Sequence, residues 1–108
     1  QPGQFFMLNL PVGGEAAFTF VSLPDANGRF SALVRQVGHL TRIVQTLAVG
    51  SVVGVRGPFG QPWPLLSAET VLVVAGGCGL APLAAWLAQR LDSRQHANTD
   101  PCTRNVRC

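Results

Sequence analysis

The stretch VLVVAGGCGLAPLAAWLAQRL, residues 71–91, joins a continuous apolar run to a helical pattern through a glycine-rich turn. The run at 71–75 is typical of a strand covered on both faces in a parallel sheet. Pro82 fits the first turn of a helix, where its missing N–H costs little, and leucine recurs every fourth residue from Leu83 to Leu91. The stretch therefore predicts the first β-α unit of an α/β domain.

A strand that ends in glycines just before a helix is a place where a phosphate group can bind. Without side chains the backbone is open to an anion, and the unpaired N–H groups of the helix end attract it. Gly76, Gly77, Cys78 and Gly79 occupy this position. Their spacing is not the G-x-G-x-x-G dinucleotide fingerprint, so a plain tight connection between strand and helix stays an equal alternative. Cys78 is interpreted as a small turn residue.

The residues before this unit predict a mainly antiparallel β structure. Apolar, aromatic and β-branched residues in strand-like patterns, separated by glycine and proline turns, indicate four strands. Asn27 followed by Gly28 predicts a hairpin turn between the second and third strands. The predicted strands are 5–10, 17–22, 29–36 and 51–57.

A short helix is predicted between the third and fourth strands. Apolar residues recur at helical spacing from Leu40 to Leu47. Thr41 is predicted to open this helix and Gly50 to close it.

Prolines between 58 and 64 interrupt regular structure and place a domain boundary within 61–68. The chain begins with glutamine almost inside a strand and ends in polar residues without periodicity, so we expect a fragment of a longer protein. The expected divisions are a β domain over 1–62, the start of an α/β domain over 63–95 and a disordered tail over 96–108.

Composition excludes several classes of function. The net charge of +3 comes from scattered arginines with no basic block, which argues against nucleic acid and is compatible with a small anionic ligand. No apolar run is long enough for a membrane span, and no leader pattern is present, so we predict a cytoplasmic protein without membrane insertion.

Three cysteines at irregular spacing make neither a disulfide framework nor a metal site. Cys78, Cys102 and Cys108 are interpreted as free thiols in a reducing compartment.

Five segments in this order resemble the ferredoxin–NADP reductase superfamily, and within it the flavin subunits of hydrogenase, anaerobic sulfite reductase and dihydroorotate dehydrogenase. The resemblance implies an antiparallel flavin-binding β-barrel, here over 1–62 without its N-terminal strand, followed by the first β-α unit of an NAD(P)-binding domain over 63–95. The segments are PGQFFMLNLP (2–11), AAFTFVS (16–22), VRQVGHLTRIV (34–44), GVRGPFGQPWPL (54–65) and VLVVAGGCGLAPL (71–83).

The family's flavin strand, R-x-Y-[ST], is similar to residues 16–19. The resemblance puts Phe18 against the isoalloxazine and lets the Thr19 hydroxyl reach the flavin, although core packing is the ordinary role of such a phenylalanine. Ala16 stands where the family has an arginine that pairs with the flavin phosphate, and Arg35 is a candidate substitute.

Further cofactor contacts follow from the same resemblance. Residues 33–35 resemble the family's second flavin segment, and residues 38–41 resemble its G-x-x-[ST] turn, which binds the flavin pyrophosphate. Thr41 is alternatively a plain helix cap. Ser22 is either a flavin contact or a surface hydroxyl. The glycine turn resembles the cradle for the NAD(P)H pyrophosphate. The residues concerned are Leu33, Val34, Arg35, Gly38 and Thr41 for the flavin, and Gly76, Gly77, Cys78, Gly79 and Pro82 for NAD(P)H.

The implied reaction is hydride transfer from NAD(P)H to FAD, followed by electron transfer to an iron–sulfur partner subunit, as in the hydrogenase and sulfite reductase complexes. The chemistry belongs to the cofactors, so no catalytic side chain is predicted. The family's [2Fe–2S] ligands are absent, because three cysteines cannot supply four ligands. By itself the fragment is expected to be inactive. Two alternatives stay open: an FMN-binding barrel, and a non-catalytic β-barrel interaction module that has lost its cofactor.

Overall fold

A computed structural model describes residues 1–64, 66–67 and 70–97 of the chain. In chain order the elements are strands β1 (Phe5–Leu10) and β2 (Gly14–Thr19), helix α1 (His39–Thr46), strand β3 (Gly54–Phe59), a 3-10 turn (Gly77–Leu80) and helix α2 (Ala81–Ala97).

The three strands form one antiparallel sheet in the order β2-β1-β3. Phe5 pairs with Thr19 in β2 and with Phe59 in β3, and a register shift between Phe5 and Met7 interrupts the pairing with β3. The antiparallel pairing confirms that part of the prediction. Within the described ranges the sheet is open, with β2 and β3 as its edges, and a closed barrel is not formed.

Aromatic residues from one face of the sheet make the larger of two small cores. Phe6 is only 2% exposed. Its ring centroid lies 4.9 Å from that of Phe20 and 5.0 Å from that of Phe30. Leu10 and Leu40 are also buried, so α1 covers the far end of the same core. Burial of large aromatic side chains is the main stabilising contribution here.

Two predicted strands are displaced and one is reduced to a single bridge. β2 begins at Gly14 and ends at Thr19, three residues earlier than predicted, while β3 is shifted three residues toward Phe59 at its start. The predicted strand at 29–36 pairs only where Ala32 bridges Phe20. The rest of that segment has no ladder partner among the described residues, because no further strand lies beside it.

The predicted hairpin turn between these segments is confirmed. Gly28 has a φ of +75°, and the Asp25 carboxylate accepts backbone N–H groups of Asn27 and Arg29 at 2.9 and 2.8 Å. A side chain that accepts bonds from its own loop fixes such a turn without help from other elements.

Helix α1 forms where the sequence predicts a helix, but with different ends. Gly38 is the N-cap and Thr41 lies three residues inside, so Thr41 does not open the helix. The helix ends at Thr46, and Leu47 is extended, so Gly50 does not close it.

The β-α unit is present only in part. α2 has Pro82 in its first turn, as predicted, and buries Ala85 and Trp86 as a second small core. The segment before it is extended but unpaired in the described part of the chain. Its side chains alternate, with Val71 and Val73 half-buried and Leu72 and Val74 exposed by 87% and 83%. The prediction of a strand covered on both faces is therefore wrong here, because no strand or second helix among the described residues covers it.

The described part of α2 extends two residues beyond the predicted division at 95. The remainder of the predicted tail, 98–108, lies outside the described residues, and so do Cys102 and Cys108. No helix among 1–64, 66–67 and 70–97 is long and apolar enough to cross a bilayer.

Candidate functional site

A cleft of about 320 Å³ lies between the edge of the sheet and the start of α2. Phe18 and Thr19 of β2 line one wall, Cys78 and Ala81 line the other, and Leu33 closes the cleft from the loop that follows the hairpin. Phe5 and Ala17 complete the sheet wall. Three separate sequence segments therefore meet here. Four of the predicted cofactor residues, Phe18, Thr19, Leu33 and Cys78, are brought together.

Phe18 takes part in both the core and the cleft. It pairs with Phe6 across the strands, with ring centroids 6.1 Å apart, yet it is only half-buried. Phe20, two residues on, is 8% exposed and belongs to the core alone. The prediction set core packing against cofactor contact for Phe18, and its position is compatible with both.

Thr19 points to the other face of the strand, opposite Phe5. It is half-buried at the cleft wall, while Leu33 is 53% exposed. An apolar, partly exposed lining with a hydroxyl at one edge is typical of sites for planar organic ligands.

A second cleft of about 290 Å³ adjoins the first and shares Leu33 and Ala81 with it. Gly77 lies in its wall, together with Val21 and Ser31 from the two sides of the hairpin turn. The two clefts form one trough along the helix start.

Thr41 has its hydroxyl fully committed inside the chain. The hydroxyl donates to the carbonyl of Gly38 at 3.1 Å and accepts the N–H groups of Val37 and Gly38 at 3.1 and 3.0 Å. Thr41 is only 8% exposed, and its hydroxyl stabilises the turn before α1 from the third helical position, while Gly38 is the N-cap. A flavin contact at Thr41 stays a prediction. Three N–H groups in the first turn of α1, from His39 to Thr41, lack an acceptor within the helix.

Gly76, Gly77 and Gly79 all have open space where a side chain would project. Gly77 has a φ of +52°, which favours glycine for conformational reasons. Gly76 and Gly79 have neither a left-handed φ nor a neighbour within 4 Å. Neither backbone conformation nor packing against the described residues accounts for the absence of a side chain at those two positions.

Several predicted contacts lie outside both clefts. Ser22 accepts the N–H of Ser31 through its hydroxyl at 2.9 Å and stabilises the hairpin, which favours its reading as a surface hydroxyl. Val34, Arg35 and Pro82 line neither cleft. Arg35 is exposed next to the half-buried Val34.

A charged pair crosses the outer face of the sheet. Arg56 donates two hydrogen bonds to the Glu15 carboxylate, from Nε at 2.9 Å and from Nη2 at 2.8 Å. The hydrogen bond from Arg56 lowers the pKa of Glu15 below its ordinary value of 4.5; desolvation opposes this shift and the charge of Arg56 adds to it. Arg56 is thereby paired with Glu15. Ala16, which stands where the family has the arginine that pairs with the flavin phosphate, supplies no charge.

Sequence reasoning missed Phe5, Ala17 and Ala81 as cleft residues. Phe5 and Ala17 alternate with core residues in their strands, which was a usable signal for a second face. Ala81 gave none, because a small residue at a helix start is common. Among the described residues no cluster of histidine, cysteine or carboxylate side chains is suited to a metal ion.

An antiparallel sheet whose edge faces a glycine turn across an apolar cleft is typical of a nucleotide-cofactor domain. The model of the oxidoreductase FAD-binding domain matches residues 1–63 of this chain. The chain belongs to that family, which confirms the resemblance to ferredoxin–NADP reductases.

Relatives support the same assignment. The chain is 36% identical to the sulfhydrogenase 1 subunit gamma of Pyrococcus furiosus, over 87% of this chain and 33% of that protein. It is 35% identical to a probable dihydroorotate dehydrogenase B (NAD(+)) electron transfer subunit of Methanopyrus kandleri, over 92% and 37%. It is 36% identical to the ferredoxin–NAD(+) reductase component of the alkene monooxygenase system of Xanthobacter autotrophicus, over 80% and 28%.

The chain thus spans about a third of the length of these curated relatives. No solved structure is significantly similar to it. One of these relatives is named as an electron transfer subunit and another as a reductase component. The class that the comparisons define for this chain is the oxidoreductase FAD-binding domain.

Proposed function

We propose that this chain is the flavin-binding part of a subunit that transfers electrons between NAD(P)H and an iron–sulfur partner subunit. The observation that carries the proposal is the cleft in which Phe18 and Thr19 of the matched domain face Cys78 and Ala81 of the glycine turn. The relatives' names associate this kind of subunit with hydrogenase, dihydroorotate dehydrogenase and ferredoxin reductase complexes. A cytoplasmic location belongs to the proposal.

The cleft fits the flavin ring system in size and lining. Its volume of about 320 Å³ lies at the lower end of the range for small-ligand sites. The ring of Phe18 supplies an aromatic surface, and Leu33 and Ala81 exclude water from the ring. Thr19 is the hydroxyl within reach of a polar ring atom. When bound, FAD would accept a hydride and pass electrons on singly.

In the proposal backbone amides bind the diphosphates, because Ala16 replaces the family's arginine and the glycine turn contains no cationic residue. In this proposal the first turn of α1 holds the flavin diphosphate through the unpaired N–H groups that follow Gly38. The open space at Gly76 and Gly79 admits the NAD(P)H diphosphate to the turn before α2. Pro82 shapes that helix start, and Val34 and Arg35, just before α1, are proposed flavin contacts. Arg35 supplies the positive charge that Ala16 does not.

Flavin content of the purified chain tests the proposal. A yellow protein with a flavin absorption band is expected, or else quenching of flavin fluorescence on titration with FAD. Titration with FMN in parallel separates the two cofactors, and anaerobic bleaching by NADH or NADPH tests the nucleotide. A colourless chain that quenches neither flavin would contradict the proposal and favour the interaction module.

A pair of threonine variants tests the cleft itself. Thr19→Val removes a hydroxyl from the cleft wall, whereas Thr46→Val removes one at the end of α1, where it donates to the Ile43 carbonyl at 2.8 Å. We expect Thr19→Val to weaken FAD binding and to shift the flavin spectrum, and Thr46→Val to leave both unchanged. Equal behaviour of the two variants would mean that the flavin binds elsewhere.

A further inference from the structure

Trp63 forms hydrogen bonds to residues that lie next to the two walls of the cleft in sequence. Its backbone N–H donates to the carbonyl of Pro2 at 2.8 Å. Its indole Nε1–H donates to the carbonyl of Pro82 at 3.2 Å. Pro2 lies three residues before Phe5 of the sheet wall, and Pro82 directly follows Ala81 of the helix wall.

The sheet side of this contact is tightly built. Gly3 has a φ of +91°, and a Cβ at this position would lie 2.7 Å from the backbone N and 2.8 Å from Cγ of Trp63. Nearby, the Gln4 side chain donates to the carbonyl of Gly60 at 3.2 Å. The backbone of Trp63 is therefore held to the N-terminal strand, while its indole extends toward α2.

The helix side has few other attachments to the sheet. Among the described elements, contacts are extensive within the sheet, and α2 contacts the 3-10 turn more than it contacts any strand. The segment after β3, here called the neck (residues 60–64 and 66–67), is joined to the first turn of α2 by the hydrogen bond from Trp63 to Pro82. Farther along the helix, Arg90 donates to the carbonyl of Leu66 at 2.9 Å. Trp63 is 43% exposed, so burial of the ring alone does not account for its position.

We propose that Trp63 is a positioning residue that sets the distance between the two walls of the cofactor cleft through its indole N–H. The inference rests on the proposed function for the identity of the ligand, whereas the geometric role of Trp63 is independent of that function. A rigid link at this point holds Cys78 and Ala81 opposite Phe18 and Thr19 before the cofactor arrives, which reduces the ordering cost of binding.

The geometric test uses Trp63→Phe, which keeps an aromatic ring and removes the indole N–H. Spin labels are attached through Val12→Cys in the exposed β1–β2 turn and Ala88→Cys on the exposed side of α2. Cys78, Cys102 and Cys108 are replaced by serine in every sample. Gln4→Leu is the matched control, because it removes a neck hydrogen bond that does not reach α2.

We expect a narrow distribution of label-to-label distances in the parent and in Gln4→Leu, and a broadened or displaced one in Trp63→Phe. Far-UV circular dichroism checks that all samples are folded. If the Trp63→Phe distribution matches that of the parent, the inference is overturned, whatever the affinity for flavin.

The binding test uses FAD titrations of the chain with its natural cysteines. Loss of one hydrogen bond predicts FAD affinity about five-fold lower in Trp63→Phe than in Gln4→Leu. Unchanged FAD affinity with a broadened distance distribution would overturn the link between wall spacing and binding. A parent that binds no flavin, with a distance change still present in Trp63→Phe, would refute the proposed function and leave the positioning role standing.

Discussion

Arg56 binds Glu15 through two hydrogen bonds and so joins β3 to β2 across β1, the strand that lies between them. The pair lies on the face of the sheet opposite the aromatic core. Both side chains remain partly exposed, Arg56 by 64% and Glu15 by 28%. Solvent screens such a pair, so its contribution to stability is small but dependent on pH.

Glu15→Gln is predicted to reduce the pH dependence of stability on the acid side. The folded-state pKa of Glu15 is lowered, so the pair contributes its stabilisation above the ordinary value of 4.5 and loses it as pH falls through the lower folded pKa. Thermal midpoints measured from about pH 7 to pH 3 should show the variant less stable at neutral pH and equal to the parent at the acid end.

The Arg56→Gln and double variants complete this experiment. The Glu15→Gln/Arg56→Gln double variant should lose no more stability than the sum of the losses in the two single variants. Each single change already removes the interaction between the two side chains. High salt should narrow the gap between parent and Glu15→Gln. A gap that is independent of both pH and salt would show that packing, not charge, connects these strands.

Thr41→Val is predicted to destabilise the chain by about 1 kcal/mol, because it removes the acceptor of the part-buried N–H groups of Val37 and Gly38. The change preserves shape, so little of the loss comes from packing. Urea denaturation followed by circular dichroism measures it. Thr41→Ser, which keeps the hydroxyl, should retain most of the stability. If serine and valine cost the same, the methyl group and not the hydroxyl is what matters.

Alanine substitutions in the glycine turn should separate stability from binding. Gly77→Ala places a side chain at a φ of +52° and should cost about 1–2 kcal/mol. Gly79→Ala meets open space at an ordinary φ and should change stability by less than about 0.5 kcal/mol.

Gly79→Ala should affect NADH binding more than it affects stability. If the open space admits a diphosphate, Gly79→Ala weakens NADH binding several-fold, measured by titration of NADH fluorescence. Gly28→Ala, at a left-handed glycine in the hairpin turn, is the matched control for Gly77→Ala. If Gly79→Ala binds NADH as tightly as the parent, Gly79 only connects the preceding segment to the helix and does not bind the diphosphate.

Phe6→Ala is predicted to cost about 3–5 kcal/mol, since Phe6 is 2% exposed and contacts three other aromatic rings. That is a large part of the stability of a small domain. Val52→Ala, at a position 93% exposed, should change stability by less than about 0.5 kcal/mol. Urea midpoints of the two variants provide the comparison. A mild effect at Phe6 would mean that the aromatic cluster is not the core.

Local sequence patterns predicted those elements that depend on near neighbours. β1 was predicted with its observed ends, because six consecutive residues suited to a strand are bounded by turns. The hairpin turn at Asn27 and Gly28 and the helical start at Pro82 were predicted for the same reason. Each of these features is decided by backbone conformation and hydrogen bonds within a few residues.

Long-range partners decided the rest. Residues 29–36 and 71–75 have the composition of strands, yet a strand needs a neighbour to bond with. Ala32 finds one bridge and the second segment finds none in the described part of the chain. The turn-stabilising role of Thr41 depended on where Val37 and Gly38 turned, which residue type alone does not reveal.

The sequence by itself determined the family, the antiparallel strands and the glycine turn, because motif order and local propensity are written along the chain. Only the tertiary structure decided that Phe18 shares the core with Phe6 while lining a cleft with Cys78, and that Trp63 joins the two walls. These residues lie 12 to 60 positions apart, and the choice among such contacts follows from how the whole chain packs.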